Sequence, residues 1–311
     1  RTAEGRVRRC HGDLHLGNLC LIEGRPTPFD ALEFDEALAT IDTGYDLAFL
    51  LMDLEHLLGR AAANRVLNRY VARTGDAGLT AALPPWLALR ALIRAHVEAR
   101  RGQGVRDTPG DAAADPRHDA LAYLSRAEEF LAPAPARVVA IGGLQGTGKS
   151  TLARALAPGI GAAPGALVLR SDEIRKRRHG AAPEDRLLPE AYGAAASAGV
   201  FAELFALAAG VARGGHAVIA DAAFLDAGDR AGIAAAAAAA GVPFTGFWLT
   251  APLDVLRARV AARRDDVSDA TVAVLEAAAA AHAEAPPPGW VVLDAAGDPL
   301  PAAQAALAQG G

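Results

Sequence analysis

Cysteine is almost missing from this chain of 311 residues, in which only Cys10 and Cys20 occur. Two thiols cannot staple a small secreted scaffold, and free thiols fit a reducing cytoplasm. No apolar run of about 18 residues stands uninterrupted, so nothing reads as a membrane-spanning helix, and no secretory leader opens the sequence. Excess positive charge is absent as well. The formal net charge is −5 and the pI near 5.9, which leaves no global field to gather nucleic acid. What remains is an ordinary globular composition, 52% hydrophobic and 22% charged. The length allows about two domains, each with its own core.

The clearest internal boundary is Ala132-Pro133-Ala134-Pro135-Ala136, where alternating prolines stiffen the backbone and end the helical pattern before them. It divides the chain into residues 1–131, a linker 132–136, and residues 137–311. In the first part, apolar runs at 19–22 and 28–32 predict a small hairpin. Leu47, Leu50, Leu51, Leu54 and Leu58 then recur at helical spacing behind a Thr43 cap. Further helices are expected over 84–100 and 116–131, with the polar, glycine-rich stretch 102–115 as a mobile connection. Beyond the linker the pattern changes to strands alternating with helices, with short apolar runs at 137–141, 166–169, 216–220, 244–249 and 290–293. That alternation predicts an α/β domain on a parallel five-stranded sheet. The alanine run 234–240 reads as a packing helix stopped by Gly241 and Pro243.

Gly143-Leu144-Gln145-Gly146-Thr147-Gly148-Lys149-Ser150 matches G-x-x-x-x-G-K-S, directly after the first of these runs and before a helical stretch that opens at Thr151. The glycines let backbone N–H groups turn inward around a β-phosphate, and the helix start adds its positive end. Lys149 is expected to bridge β- and γ-oxygens, and Ser150 to hold Mg2+. The stretch Gly143 to Thr151 is therefore the expected site for ATP or GTP. A chance glycine-rich turn is a remote alternative for an eight-residue pattern in this setting.

Two acids follow strand runs of the same sheet, Asp172 and Asp221, and both belong at its carboxyl edge beside the phosphate loop. Asp221 suits the Mg2+-water position; a cap or turn acid is the alternative. Asp172 and Arg175 stand one helical turn apart, a pair able to deprotonate and orient an acceptor hydroxyl. The plainer reading makes Asp172 a helix cap and Arg175 its solvated partner. Arg257, Arg259, Arg263 and Arg264 follow the fourth run, with Arg259 and Arg263 four apart on one face, where phosphoryl transfer needs cations. Arg257 and Arg264 read as a solvated face.

Together, Gly143 to Ser150, Ser171 to Arg175, Asp221 to Leu225 and Arg259 to Asp269, with Ser268-Asp269-Ala270, resemble the P-loop kinases of the adenylate-kinase-like group. Relatives there include gluconate kinase, zeta toxins and polynucleotide kinase, and the likeness covers residues 137–309. The resemblance implies that Asp172 is the general base and Arg175 the acceptor-side clamp, with Arg259 and Arg263 as lid arginines over the γ-phosphate. It leaves the acceptor open among sugars, antibiotics, nucleotide-sugars and nucleic-acid ends.

Near the start, His11-Gly12-Asp13-Leu14-His15-Leu16-Gly17-Asn18 has the H-G-D-x-H-x-x-N form of a kinase catalytic loop, in which Asp13 accepts the substrate proton and Asn18 holds Mg2+. It resembles aminoglycoside phosphotransferases and choline kinases. That resemblance implies Asp30 as second metal carboxylate, with Glu33 close enough to compete, Asp46 as supporting acid, and residues 1–131 as a partial, mostly helical lobe of a protein-kinase-like fold. Cys10, His11, His15 and Cys20 are also potential zinc ligands, but their spacing follows no familiar zinc pattern. No glycine-rich loop or strand lysine precedes His11, and the first residue is Arg1 rather than Met. The chain thus reads as truncated at its amino end, with a catalytically silent first half. The order of the halves resembles bacterial fusions of an aminoglycoside phosphotransferase-like domain with an ATP-binding domain.

The expectation is an ATP- and Mg2+-dependent phosphotransferase with an alcohol-group acceptor on a small molecule, cytoplasmic, with no membrane or nucleic-acid partner. The alternative is a nucleotide-binding regulatory switch, which has no need of an acceptor base beside an arginine.

Overall fold

The computed structural model describes residues 1–104, 116–262, 268–281 and 286–309. The chain divides into two compact units: Arg1–Leu67 with Leu79–Ala134 and Ala162–Pro164, and Asn68–Gly78 with Pro135–Gly161 and Gly165–Gly311.

In the first unit, β1 (Val7–Arg9) pairs antiparallel with β4 (Thr40–Asp42), and β2 (Leu19–Ile22) with β3 (Arg25–Pro28). The return strand of the hairpin ends at Pro28, where the sequence pattern had it begin. Glu23 and Gly24 both take positive φ, 51° and 75°, so the chain reverses in two residues and re-enters the ladder at Arg25. The helices are α1 (Glu36–Ala39), α2 (Thr43–Leu58), α3 (Arg60–Thr74, of which Asn68–Thr74 belong to the second unit), α4 (Leu83–Gly104) and α5 (Pro116–Leu131). Asp42 rather than Thr43 caps α2, its carboxylate accepting the Gly44 N–H at 2.7 Å. Of the expected mobile stretch 102–115, the first three residues continue α4, and 105–115 lie outside the described residues. Helix α2 packs on α4, and α4 on α5. Phe49, Leu51 and Met52 are buried with Leu83 and Leu87, and Tyr123, Ala127 and Phe130 form the buried stripe of α5 at helical spacing.

The second unit is an α/β layer structure. Its strands β5 (Val138–Gly143), β6 (Leu167–Arg170), β7 (Val218–Asp221), β8 (Phe244–Thr250) and β9 (Val291–Asp294) lie in the order β6-β7-β5-β8-β9, all parallel. Being covered on both faces, β5, β6 and β7 are buried along their whole length, which explains their unbroken apolar runs. Helices α6 (Lys149–Leu156), α7 (Ser171–Arg178), α8 (Ala194–Arg213), α9 (Ala227–Ala240), α10 (Leu253–Ala261), α11 (Val272–Ala281) and α12 (Leu300–Gln309) complete the unit. A core of Val139, Ile141, Leu152, Leu156, Val168, Ile219, Phe247, Leu249 and Leu307 lies on one side of the sheet.

By length and composition α8 is apolar enough to cross a membrane. Glu203 stands in its middle and pairs with Arg177 and Arg178 of α7 at 3.0 and 3.1 Å, while Val200, Leu204, Ala208 and Val211 are buried within the unit.

Candidate active site

Because β5 is central, the turn from β5 into α6 opens at the carboxyl edge of the sheet, flanked by the ends of β7 and β8, with β6 beyond β7. Gly143, Gly146 and Gly148 take φ of 130°, 90° and 85°. A Cβ on Gly143 would stand 2.5 Å from the Leu249 carbonyl oxygen, and one on Gly146 would stand 2.9 Å from that of Leu256, so only glycine fits this path. Gly148 then caps α6, leaving the first N–H groups of that helix facing the loop. Lys149 Nζ arches back over the turn and donates to the carbonyls of Gly143 and Leu144 at 2.8 and 2.9 Å. Thr147 is buried, its hydroxyl donating to Leu144 O at 2.8 Å.

A cavity of about 510 Å³ lies over this loop. Gln145, Gly146, Gly148, Lys149, Ser150 and Thr151 line it, as do Arg154, Arg170, Asp172, Arg175, Tyr192, Asp221, Ser268 and Asp269. Ser150 Oγ donates to Asp221 Oδ2 at 2.6 Å, and Arg170 Nε donates to the same oxygen at 3.1 Å. The register across β6 and β7 sets Arg170 directly beside Asp221. Arg170 also reaches Glu173 Oε1 at 3.4 Å, so one buried guanidinium joins two carboxylates. Two hard oxygen donors, the Ser150 hydroxyl and the Asp221 carboxylate, therefore meet beside the phosphate cradle, a donor set suited to Mg2+.

On the other wall, burial pushes the Asp172 carboxyl above the usual aspartate range; Arg170 pulls it back, negative Asp221 raises it, and a hydrogen bond from Ser268 lowers it. Glu173 is raised by the same burial, opposed by Arg170. Arg175 is only 7% exposed, which removes the solvated-partner reading. Its Nη1 donates to Ala191 O at 2.6 Å, and its guanidinium lies over the Tyr192 ring, 4.8 Å from the centroid. Arg259 does not line the cavity: its Nη1 and Nη2 donate to the carbonyls of Ala295 and Ala296, at 2.6 and 3.2 Å, after β9. Four-residue spacing predicted its helix face but not what that face meets. Arg263 and Arg264 lie outside the described residues. Arg257 pairs with Glu276 at the surface, 2.9 Å away. Arg170, Lys176 and Tyr192 carried no sequence signal, since their partners stand 51, 93 and 77 positions away.

The first unit has a polar cluster of its own. Asn18 Nδ2 donates to the Asp13 carboxylate and to the Asp13 carbonyl, both at 3.0 Å. Asp46 accepts the backbone N–H groups of His11 and Gly12 at 3.1 and 2.9 Å, and Asp53 accepts that of Leu16 at 2.9 Å, so two acids of α2 hold the loop 11–18 in shape. Arg90 lies over Tyr45 and donates to Gly12 O at 3.2 Å. His11 Nε2 is 2.8 Å from Phe29 O. Asp30 follows with φ of 61°, in the left-handed region. Among the described residues no hydrogen bond joins Asp30 or Glu33 to Asp13 or Asn18, and no group of three metal-ligating His, Cys, Asp or Glu side chains occurs.

The sheet order, the glycine cradle and the Lys149 arch define the second unit as an α/β P-loop domain. In line with that class, residues 138–287 match the family model described as an AAA domain. The chain is also similar to Uncharacterized protein Rv2004c of Mycobacterium tuberculosis and Uncharacterized protein Mb2027c of Mycobacterium bovis. Each is 34% identical over 289 residues, covering 91% of this chain and 56% of the relative. The chain thus spans about half the length of the curated relatives it matches. Among solved structures it is similar to a gluconokinase from Sinorhizobium meliloti (20% identity, 56% of this chain and 93% of that one, TM-score 0.39). The APS kinase CysC of Mycobacterium tuberculosis in complex with AMPPNP and APS gives 23% identity over 57% and 98%, with a TM-score of 0.40. Likeness at that level carries nothing about the acceptor.

Proposed function

We propose that the second unit is an ATP- and Mg2+-dependent phosphotransferase acting on an alcohol hydroxyl of a small molecule. The observation that carries this reading is that the Asp172 carboxylate lines the same cavity as the phosphate cradle. A bare nucleotide switch has no use for a base there. In this reading the cradle 143–151 and Lys149 hold the triphosphate, and Asp172 takes the proton of the acceptor hydroxyl. The freed oxygen attacks the γ-phosphorus, the bond to the β-phosphate oxygen breaks, and ADP leaves. Ser150 and Asp221 would hold Mg2+, which supplies charge neutralisation on the phosphates. Lys149 and Arg170 add fixed positive charge, and Arg175 orients the acceptor. A net charge of −5 and two unpaired cysteines support a cytoplasmic setting without nucleic-acid or membrane partners.

The silence of residues 1–131 in this chain belongs to the same proposal, the Asp13, Asn18 and Asp30 set contributing nothing to transfer.

The test is γ-phosphate transfer from labelled ATP with Mg2+ to glucose, gluconate, kanamycin, adenosine and a 5′-hydroxyl oligonucleotide. Asp172→Asn is expected to keep ATP affinity and to lose transfer by about 10²–10⁴-fold. Lys149→Ala weakens both, and Asp13→Ala changes neither. ATP binding with no acceptor labelled would replace the kinase by a regulatory module, and equal rates in wild type and Asp172→Asn would remove Asp172 from the chemistry.

A further inference from the structure

One carboxylate gathers donors from three places in the second unit. Asp269 Oδ2 accepts the Tyr192 hydroxyl at 2.5 Å and the Leu187 backbone N–H at 3.1 Å, and Asp269 Oδ1 stands 3.5 Å from Lys176 Nζ. Lys176 is 1% exposed, and its ammonium also donates to Pro183 O at 3.0 Å. A buried ammonium needs a counter-charge, and among the described residues Asp269 is the carboxylate that reaches it. Three points of the connection between α7 and α8, at Pro183, Leu187 and Tyr192, are thereby tied to the Lys176–Asp269 pair. Burial and Asp269 together push the Tyr192 phenol above the usual tyrosine range, as a hydroxyl committed to a carboxylate requires.

The tied connection meets the cavity at Tyr192. The ring of Tyr192 carries the Arg175 guanidinium, whose Nη1 is held by Ala191 O. The residue before Asp269, Ser268, lines the same cavity as Asp172 and helps to hold its carboxyl in the charged form. Ser268 and Asp269 thus bring the base and the acceptor wall onto one dipeptide.

We infer that Asp269 is a positioning residue: it holds residues 183–192 closed against the cavity so that Tyr192 and Arg175 form the acceptor wall facing Asp172. This rests on reading the cavity as the transfer site. Among the described residues Asp269 hydrogen-bonds neither the phosphate cradle nor the Ser150–Asp221 pair, so its loss acts on the acceptor side.

The Leu187 N–H that Asp269 holds belongs to the Arg186–Leu187 peptide bond, a trypsin site, which gives a readout independent of any acceptor. In the full chain, Asp269→Ala is expected to raise the rate of trypsin cleavage at that bond at least about tenfold, with Tyr192→Phe intermediate. Affinity for a fluorescent ATP analogue stays within about twofold. For whichever panel compound the wild type labels, the acceptor KM rises at least about tenfold while the KM for ATP holds. Should Asp269→Ala not fold, with Lys176 left alone, Asp269→Asn keeps the test, because it removes the charge and leaves one accepting oxygen. Unchanged cleavage at Arg186–Leu187 overturns the latch. Faster cleavage with an unchanged acceptor KM overturns the positioning role. If the wild type labels none of the panel, the kinase reading falls, and the cleavage rate still decides whether Asp269 holds the wall.

Discussion

Ser150 Oγ and Asp221 Oδ2 lie 2.6 Å apart although 71 positions separate them, one in the first turn of α6 and the other at the last residue of β7. The contact exists because β5 and β7 are neighbours and parallel, with Ile141 opposite Asp221. Everything that follows the two strands emerges at the same edge, so a hydroxyl and a carboxylate from distant segments converge beside the phosphate loop.

Asp221→Asn should therefore weaken the dependence of ATP binding on Mg2+. In the wild type, adding Mg2+ is expected to tighten binding of a fluorescent ATP analogue. In the variant that tightening should shrink by about tenfold or more, since the amide oxygen carries no charge for a hard cation. Titration with and without Mg2+ measures it, and far-UV circular dichroism checks that loss of the Arg170 partner has not unfolded the unit. An equal effect of Mg2+ in both proteins would place the metal elsewhere.

Gly143 and Gly210 make an opposed pair. Alanine at Gly143 would drive a Cβ to 2.5 Å from backbone at a φ of 130°. It should lower the melting temperature and abolish ATP binding. Gly210 lies inside α8 with nothing within 4 Å of a built Cβ. Gly210→Ala should stabilise by about 0.5–1 kcal/mol, a rise of a few degrees in melting temperature, with ATP affinity unchanged.

How much of this could be read in advance follows from where the information sits. The eight residues Gly143 to Ser150 are contiguous, so their geometry is local and legible, and each of the five apolar runs became a strand to within a few residues. Strand order is non-local. Without it nothing links Arg170 to Asp221, because their pairing depends on β7 lying between β6 and β5. Arg259 shows the same limit, with a helix face correctly spaced but turned to the carbonyls after β9. Helix α3 had no expectation attached, although Ala63, Leu67 and Val71 repeat every four residues and are all buried. The left-handed Glu23 was illegible for another reason, since a glutamate there goes against backbone preference and only Gly24 signals the turn.

As the proposed base, Asp172 must be ionised to accept a proton, and burial favours its neutral form. Transfer should therefore fall on the acid side at a pH above the ordinary aspartate range of about 4. The Ser268 hydrogen bond opposes that shift by favouring the charged form. In Ser268→Ala the acid limb should move to still higher pH, with the rate on the plateau less affected. A pH profile of transfer in both proteins decides it, and coincident acid limbs would mean that the limb reports another group.

Glu55 offers a stability test confined to the first unit. It is 7% exposed on α2, and its Oε2 is buried without a hydrogen-bond partner among the described residues. Burial raises its pKa, with positive Arg60 opposing. A carboxyl whose folded pKa is raised is neutral in both states below its unfolded pKa of about 4.3, where its contribution to stability is fully present. As the pH rises through the folded pKa, the native state must ionise a buried group while the unfolded chain ionises in water, and that stability is lost. Glu55→Gln keeps the shape and stays neutral at every pH. Its melting temperature should exceed that of the wild type at pH 7 and coincide with it near pH 4. A difference of the same size at both pH values would show that the amide acts through packing rather than through charge.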